Sequence, residues 1–164
     1  MARNFLAASI SLIAVAASAL SGAQVRAATS TAAFAVSVTV QSSCQITATA
    51  LGFASYNGAL DVASSTLTLR CTGTTSYNVG LSAGSTPGAA VTSRQMANGT
   101  ARLAYALYSD AGRTVNWGDT VGTDTVAGTG NGSAQTLTVY GRIAAGLLVK
   151  PGAYSDTIIA TVTY

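Results

Sequence analysis

Gly152-Ala153-Tyr154-Ser155-Asp156-Thr157-Ile158-Ile159-Ala160-Thr161-Val162-Thr163-Tyr164 is the stretch that decides the fold class. Ile158, Ala160, Val162 and Tyr164 recur at every second position. Successive side chains of a strand point to opposite faces, so this period sends one set to a core and the other to water. The same alternation appears upstream in Leu137, Val139 and Ile143, in Leu103, Tyr105 and Leu107, in Tyr77, Val79 and Leu81, in Leu67, Leu69 and Cys71, and in Phe34, Val36, Val38 and Val40. Turn signals separate these runs: Tyr56-Asn57-Gly58, Gly84 to Gly88, Asn98-Gly99, Asp110-Ala111-Gly112, Gly128 to Gly132 and Lys150-Pro151-Gly152. Seven or so short strands at such spacing predict an all-β sandwich. Asn98-Gly99 is the expected centre of a hairpin, since a type I′ turn needs positive φ at both central residues.

The first thirty residues belong to a different pattern. Arg3 is followed by a charge-free apolar run from Phe5 to Leu20, and Val25-Arg26-Ala27 places small residues at the −3 and −1 positions of a cleavage site. Residues 1–27 therefore read as a secretory signal peptide, with Ala23 as the second possible cleavage point. The run is shorter than the roughly 20 residues a spanning helix needs, so no membrane anchor is expected after cleavage. Removal of Arg3 and Arg26 takes two of the eight basic side chains and leaves near balance with the five acidic ones. The remaining cations, from Arg70 to Lys150, are scattered singly, which argues against a nucleic-acid partner. Cys44 and Cys71, an even pair in an exported chain, are read as one disulfide. Its chain-entropy stabilisation is on the order of 3–4 kcal/mol.

The 164 residues fit one domain, with 8% charged and 49% apolar side chains. That excludes disorder, which needs high charge and low hydrophobicity. The alphabet also excludes most catalysis. With no His, no Glu and one Lys, neither a Ser-His-Asp nor a Cys-His arrangement can be built. Two cysteines are too few for zinc, and the aspartates lack the dense oxygen spacing of a calcium loop. Asp61, Asp110, Asp119, Asp124 and Asp156 read as loop and turn residues. Gly128 to Gly132 lacks the G-x-G-x-x-G spacing of a phosphate cradle. No catalytic, metal or cofactor site is expected, and the chain does not read as an enzyme. Trp117 and the seven tyrosines could line a sugar-binding face, although Tyr105 shares the alternating face of Leu103 and Leu107. Asn98-Gly99-Thr100 and Asn131-Gly132-Ser133 fit the glycosylation pattern but read better as turns.

One strand has two possible uses. Phe34, Val36, Val38 and Val40 follow a small-residue lead and run directly into Cys44. Such a strand can complete its own sandwich, or pair with the open sheet edge of another molecule.

The C-terminal run closely resembles the G-x-Y-x-D-T-[hydrophobic]-x-x-T-V-x-[aromatic] ending of the spore coat protein U family, which includes the subunits of archaic (Csu-type) chaperone-usher pili. Leu103 to Asp110 resembles that family's L-x-Y-x-L-Y-x-D strand, and Val115-Asn116-Trp117-Gly118-Asp119 resembles its W-G-D element. Phe34, Val36, Val40 and Cys44 resemble its approach to the first cysteine, and Leu51, Phe53 and Tyr56 its L-x-F-x-x-Y element, with Ala54 where the family commonly has Gly. Cys71 stands as the second cysteine.

The resemblance implies an incomplete immunoglobulin-like β-sandwich, completed by donor-strand exchange. It implies an N-terminal donor segment over 28–43, with Phe34, Val36, Val38 and Val40 as donor residues, and a pilin domain over 44–164. The edge carrying Ile158, Ala160, Val162 and Tyr164 would accept the strand. The implied partners are a periplasmic pilus chaperone, an outer-membrane usher and neighbouring subunits. The implied product is an extracellular pilus on the bacterial surface, serving adhesion and biofilm formation. The alternative is a secreted, self-complemented sandwich that binds carbohydrate or coats a surface or spore.

Overall fold

A computed structural model describes residues 25–164. The signal-peptide reading falls almost wholly on residues 1–24, outside the described residues. The chain divides into a unit ending at Val38 and a unit spanning Thr39–Tyr164. In the first, residues 25–38 contain no strand, and Phe34, Val36 and Val38 are more than 80% exposed. The alternation predicted a strand here. Period two supplies the two faces of a strand but not the partner whose backbone completes a ladder.

The second unit is all-β. Its strands are β1 (Cys44–Ala48), β2 (Asp61–Cys71), β3 (Ser76–Leu81), β4 (Arg94–Asn98), β5 (Ala101–Tyr108), β6 (Val126–Thr129), β7 (Ala134–Ile143) and β8 (Ala160–Thr163). They form a five-stranded sheet, β1-β2-β7-β5-β4, and a three-stranded sheet, β6-β3-β8. Every pairing is antiparallel.

The inward faces are the ones the alternation marks. Leu67, Leu69, Leu103, Tyr105, Leu107, Val139 and Ile143 from the larger sheet meet Tyr77, Val79 and Leu81 from the smaller, making one core. Cys44 and Cys71, register partners on β1 and β2, are joined by the disulfide. Between the sheets Trp117 is 1% exposed and donates its indole N–H to Val79 O at 2.8 Å. It is a core residue and presents no face to a sugar.

Arg94, the first residue of β4, is fully buried. Its Nε donates to Ser82 O at 2.9 Å, Nη1 to Val91 O at 2.7 Å, and Nη2 to Leu81 O and Trp117 O at 2.8 and 2.7 Å. Desolvation lowers its pKa, opposed by Tyr105 and by Asp119, Asp124 and Asp156. A cation reading as one of several scattered charges thus ties the two sheets together through carbonyl oxygens.

Two turn expectations shift. Asn98 pairs with Ala101, so the hairpin's central residues are Gly99 and Thr100, with positive φ (58°) at Gly99 and not at Thr100. That is the type II′ pattern, set one residue later than the sequence reading. Gly128, expected in a loose loop, belongs to β6 opposite Tyr77. A Cβ there would lie 2.5 Å from the Tyr77 ring, so glycine serves close packing at this position.

Candidate functional site

The two sheets are not joined along one side. β1 is the edge of the larger sheet and β8 the edge of the smaller; they approach one another without pairing. The chain leaves β1 as residues 49–58 and approaches β8 as residues 147–159, and these two stretches flank a cavity of about 1050 Å³. Its floor is the core itself: Leu67, Leu103, Tyr105, Leu107, Val139 and Ile143.

The first wall presents Leu51 and Phe53 inward two residues apart, then Tyr56 after the exposed Ala54 and Ser55. Gly141 in β7 makes room for them, since a Cβ there would sit 2.8 Å from Phe53 and 3.1 Å from Leu51. The second wall presents Tyr154, Asp156, Ile158 and Ala160 inward, at strict period two. The motif residues of the sequence therefore converge here, two elements making the walls and the L-x-Y-x-L strand the floor.

The second wall alternates like a strand and the first does so over Leu51 to Phe53, yet residues 50–57 and 147–154 carry no strand assignment. Among the described residues, the backbone of 50–57 makes no backbone–backbone hydrogen bond. The second wall is fastened on its outer side, by paired bonds between Ser155 and Ala97 (2.8 and 3.1 Å) and by Ser82 N to Ile159 O (3.0 Å). One end of the groove is stitched shut. Tyr56 Oη donates to Ala144 O at 2.6 Å and accepts from Leu147 N at 3.0 Å, beside a 2.8 Å bond from Gly146 N to Gly58 O.

Asp156 is no turn residue. Its Oδ2 accepts from the Tyr105 hydroxyl at 2.7 Å, and its Oδ1 from Ser85 N, Ser85 Oγ and Thr157 N. Burial works against its charge, but these donors outweigh it and hold its pKa below the ordinary carboxylate value. Burial and the same bond push the Tyr105 phenol upward. Asp110 keeps a turn role: Val115 N and then Thr114 N and Oγ1 donate to it, and these bonds lower its pKa.

Of the proposed edge residues, Ile158, Ala160 and Val162 face inward, while Tyr164 lies beyond β8 and is 57% exposed. Among the donor candidates, Val40 is also exposed. Sequence reasoning missed Arg94 and the Tyr105–Asp156 bond. The inward period of 154–160 was the available signal for the second.

Small-molecule pockets rarely exceed about 1,000 Å³ and converge a few polar groups on one point. This groove instead offers unpaired backbone along the first wall, an edge strand with one free side, and apolar core between them. That is the lining a β-strand needs.

The family model of the Spore Coat Protein U domain matches residues 30–161. Protein U of Myxococcus xanthus is 34% identical over 179 aligned positions, which cover 98% of this chain and 99% of that protein. Among solved structures, the fold resembles a chain in the CsuC–CsuE chaperone–tip adhesion subunit pre-assembly complex, from the archaic chaperone-usher Csu pili of Acinetobacter baumannii. The TM-score is 0.59 at 22% identity, over 77% of this chain. The match spans 41% of the length of that solved chain.

Proposed function

The chain belongs to the Spore Coat Protein U domain family, and from that premise we propose that it is a structural subunit of an archaic chaperone-usher pilus. One observation carries the reading: the sandwich has an open seam, a cavity with core side chains as its floor and unpaired backbone on its wall.

In this reading residues 1–27 are the signal peptide, 28–43 the donor segment and 44–164 the acceptor domain. Phe34, Val36, Val38 and Val40 of one subunit enter the groove of the next. Each buried side chain of this kind contributes roughly 1.5–3 kcal/mol, and the strand adds a backbone ladder on the edge carrying Ile158, Ala160, Val162 and Tyr164. Head-to-tail insertion does not close on itself, so it yields a filament.

An empty groove would aggregate. A periplasmic chaperone therefore covers it by lending a strand, and an outer-membrane usher exchanges that strand for the next subunit's donor segment. The fibre lies outside the cell and serves adhesion and biofilm formation, with no catalytic role. Support for the chaperone step comes from the solved neighbour, itself part of a chaperone–subunit pre-assembly complex.

The test is an SDS gel of material sheared from the host surface, with and without boiling, for the natural chain and for Phe34→Asp/Val36→Asp/Val38→Asp. A ladder that collapses on boiling and is absent from the variant is the expected result. A single band near the monomer mass in every lane would contradict the reading and favour a self-complemented sandwich.

A further inference from the structure

Tyr105 stands on the floor of the groove and touches both walls. Its ring meets Phe53 of the first wall edge-on, with centroids 6.4 Å apart and planes at 68°. Its hydroxyl donates to Asp156 of the second wall at 2.7 Å. The other oxygen of Asp156 is held by Ser85 and Thr157, so the carboxylate reaching Tyr105 is fixed from behind. β5 lies between β7 and β4 in the larger sheet and carries Tyr105 between Leu103 and Leu107, where its side chain is buried. The walls themselves are not laddered to one another.

We propose that Tyr105 is a positioning residue that sets the width of the empty groove, tethering one wall through its ring edge and the other through its hydroxyl. This rests on the filament reading above. Its consequence is kinetic. A strand arriving at two pre-set edges need not order them, and that ordering is a recognised cost of association. Once the groove is filled, the inserted strand's own ladder holds both walls. Loss of the tether therefore slows capture and leaves departure nearly unchanged.

The experiment uses the full mature chain carrying Phe34→Asp/Val36→Asp/Val38→Asp as acceptor, and a fluorescent synthetic peptide of residues 28–43 as probe. Association and dissociation rates are read by anisotropy, beside the thermal midpoint of the peptide-free acceptor. Tyr105→Phe keeps the ring and removes the hydroxyl. Association about tenfold slower is expected, the size of one hydrogen bond to a charged acceptor, with dissociation within twofold. Asp156→Asn, whose amide oxygen still accepts from the hydroxyl, should retain more of the rate than Asp156→Ala. A general stability defect would instead lower the midpoint without separating the two rates. Capture by Tyr105→Phe at the parent rate, or equal slowing of both rates, overturns the assignment. Should Tyr105→Phe fail to fold, Phe53→Leu tests the other tether by the same readout. An unmodified groove that takes up no peptide overturns the filament reading itself, a result distinct from one confined to Tyr105.

Discussion

The two sides of the sandwich are finished to different degrees. Around Arg94 and Trp117, a guanidinium with no exposed surface bonds four carbonyl oxygens and the indole N–H finds Val79 O. The first wall of the groove, by contrast, has inward-facing Leu51, Phe53 and Tyr56 but no backbone partner. The difference teaches that the seam is not the product of a weak core. The same strands β3 and β5 that close one side supply the floor or rim of the other. What the open side lacks is one strand.

Changes on the closed side should damage the monomer. The disulfide, although it lies on the edge strand β1, is likewise a finished contact, and replacing both Cys44 and Cys71 by Ala should cost about 3–4 kcal/mol in urea unfolding of the monomeric donor-strand variant. Arg94→Met strands the carbonyls of Leu81, Ser82, Val91 and Trp117, and a loss of about 3 kcal/mol is expected by the same measurement. A cost under about 1 kcal/mol would show that the closed side is not held as described.

Changes at the seam should damage assembly more than they damage the monomer. Gly141→Ala drives a Cβ into Phe53 and Leu51, and it should cost about 1–3 kcal/mol through overpacking while displacing the first wall. The boiling-sensitive ladder should weaken more than the midpoint falls. Equal losses in both would remove the distinction between the two sides.

Acid should act at Asp156. Its folded pKa is depressed, so its contribution is present above the unfolded value of about 3.9 and is lost as pH falls through the folded one. Thermal midpoints should therefore drop below about pH 4, with a smaller drop in Asp156→Asn. The least effect is expected at the hairpin. Gly99→Ala places a Cβ at φ 58°, for roughly 1 kcal/mol in the same unfolding assay.

Much of this was legible in the alternation. Leu67 and Leu69, Tyr77 to Leu81, Leu103 to Leu107, and Val139 and Ile143 are all core, because period two reports directly which face is buried. Partners are what a sequence period does not report. Residues 34–40, 51–53 and 154–158 alternate like strands, and the structure gives them no full ladder. Arg94 was invisible for a related reason: its acceptors are backbone carbonyls, which leave no mark in composition. Asp156 looked like a turn residue beside Gly152, yet its place in the inward period 154, 156, 158 put it against Tyr105.

The central claim is that the seam between residues 50–57 and 153–160 receives a strand from another copy of the chain. Amide hydrogen exchange tests it most directly, comparing monomer with polymer and with the Phe34→Asp/Val36→Asp/Val38→Asp variant. Residues 50–57, which have no backbone partner, should exchange readily in the monomer and in the variant, and become strongly protected in the polymer together with residues 34–40. Polymer in which 50–57 exchanges as fast as in the monomer, or a monomer already protected there, would contradict the account.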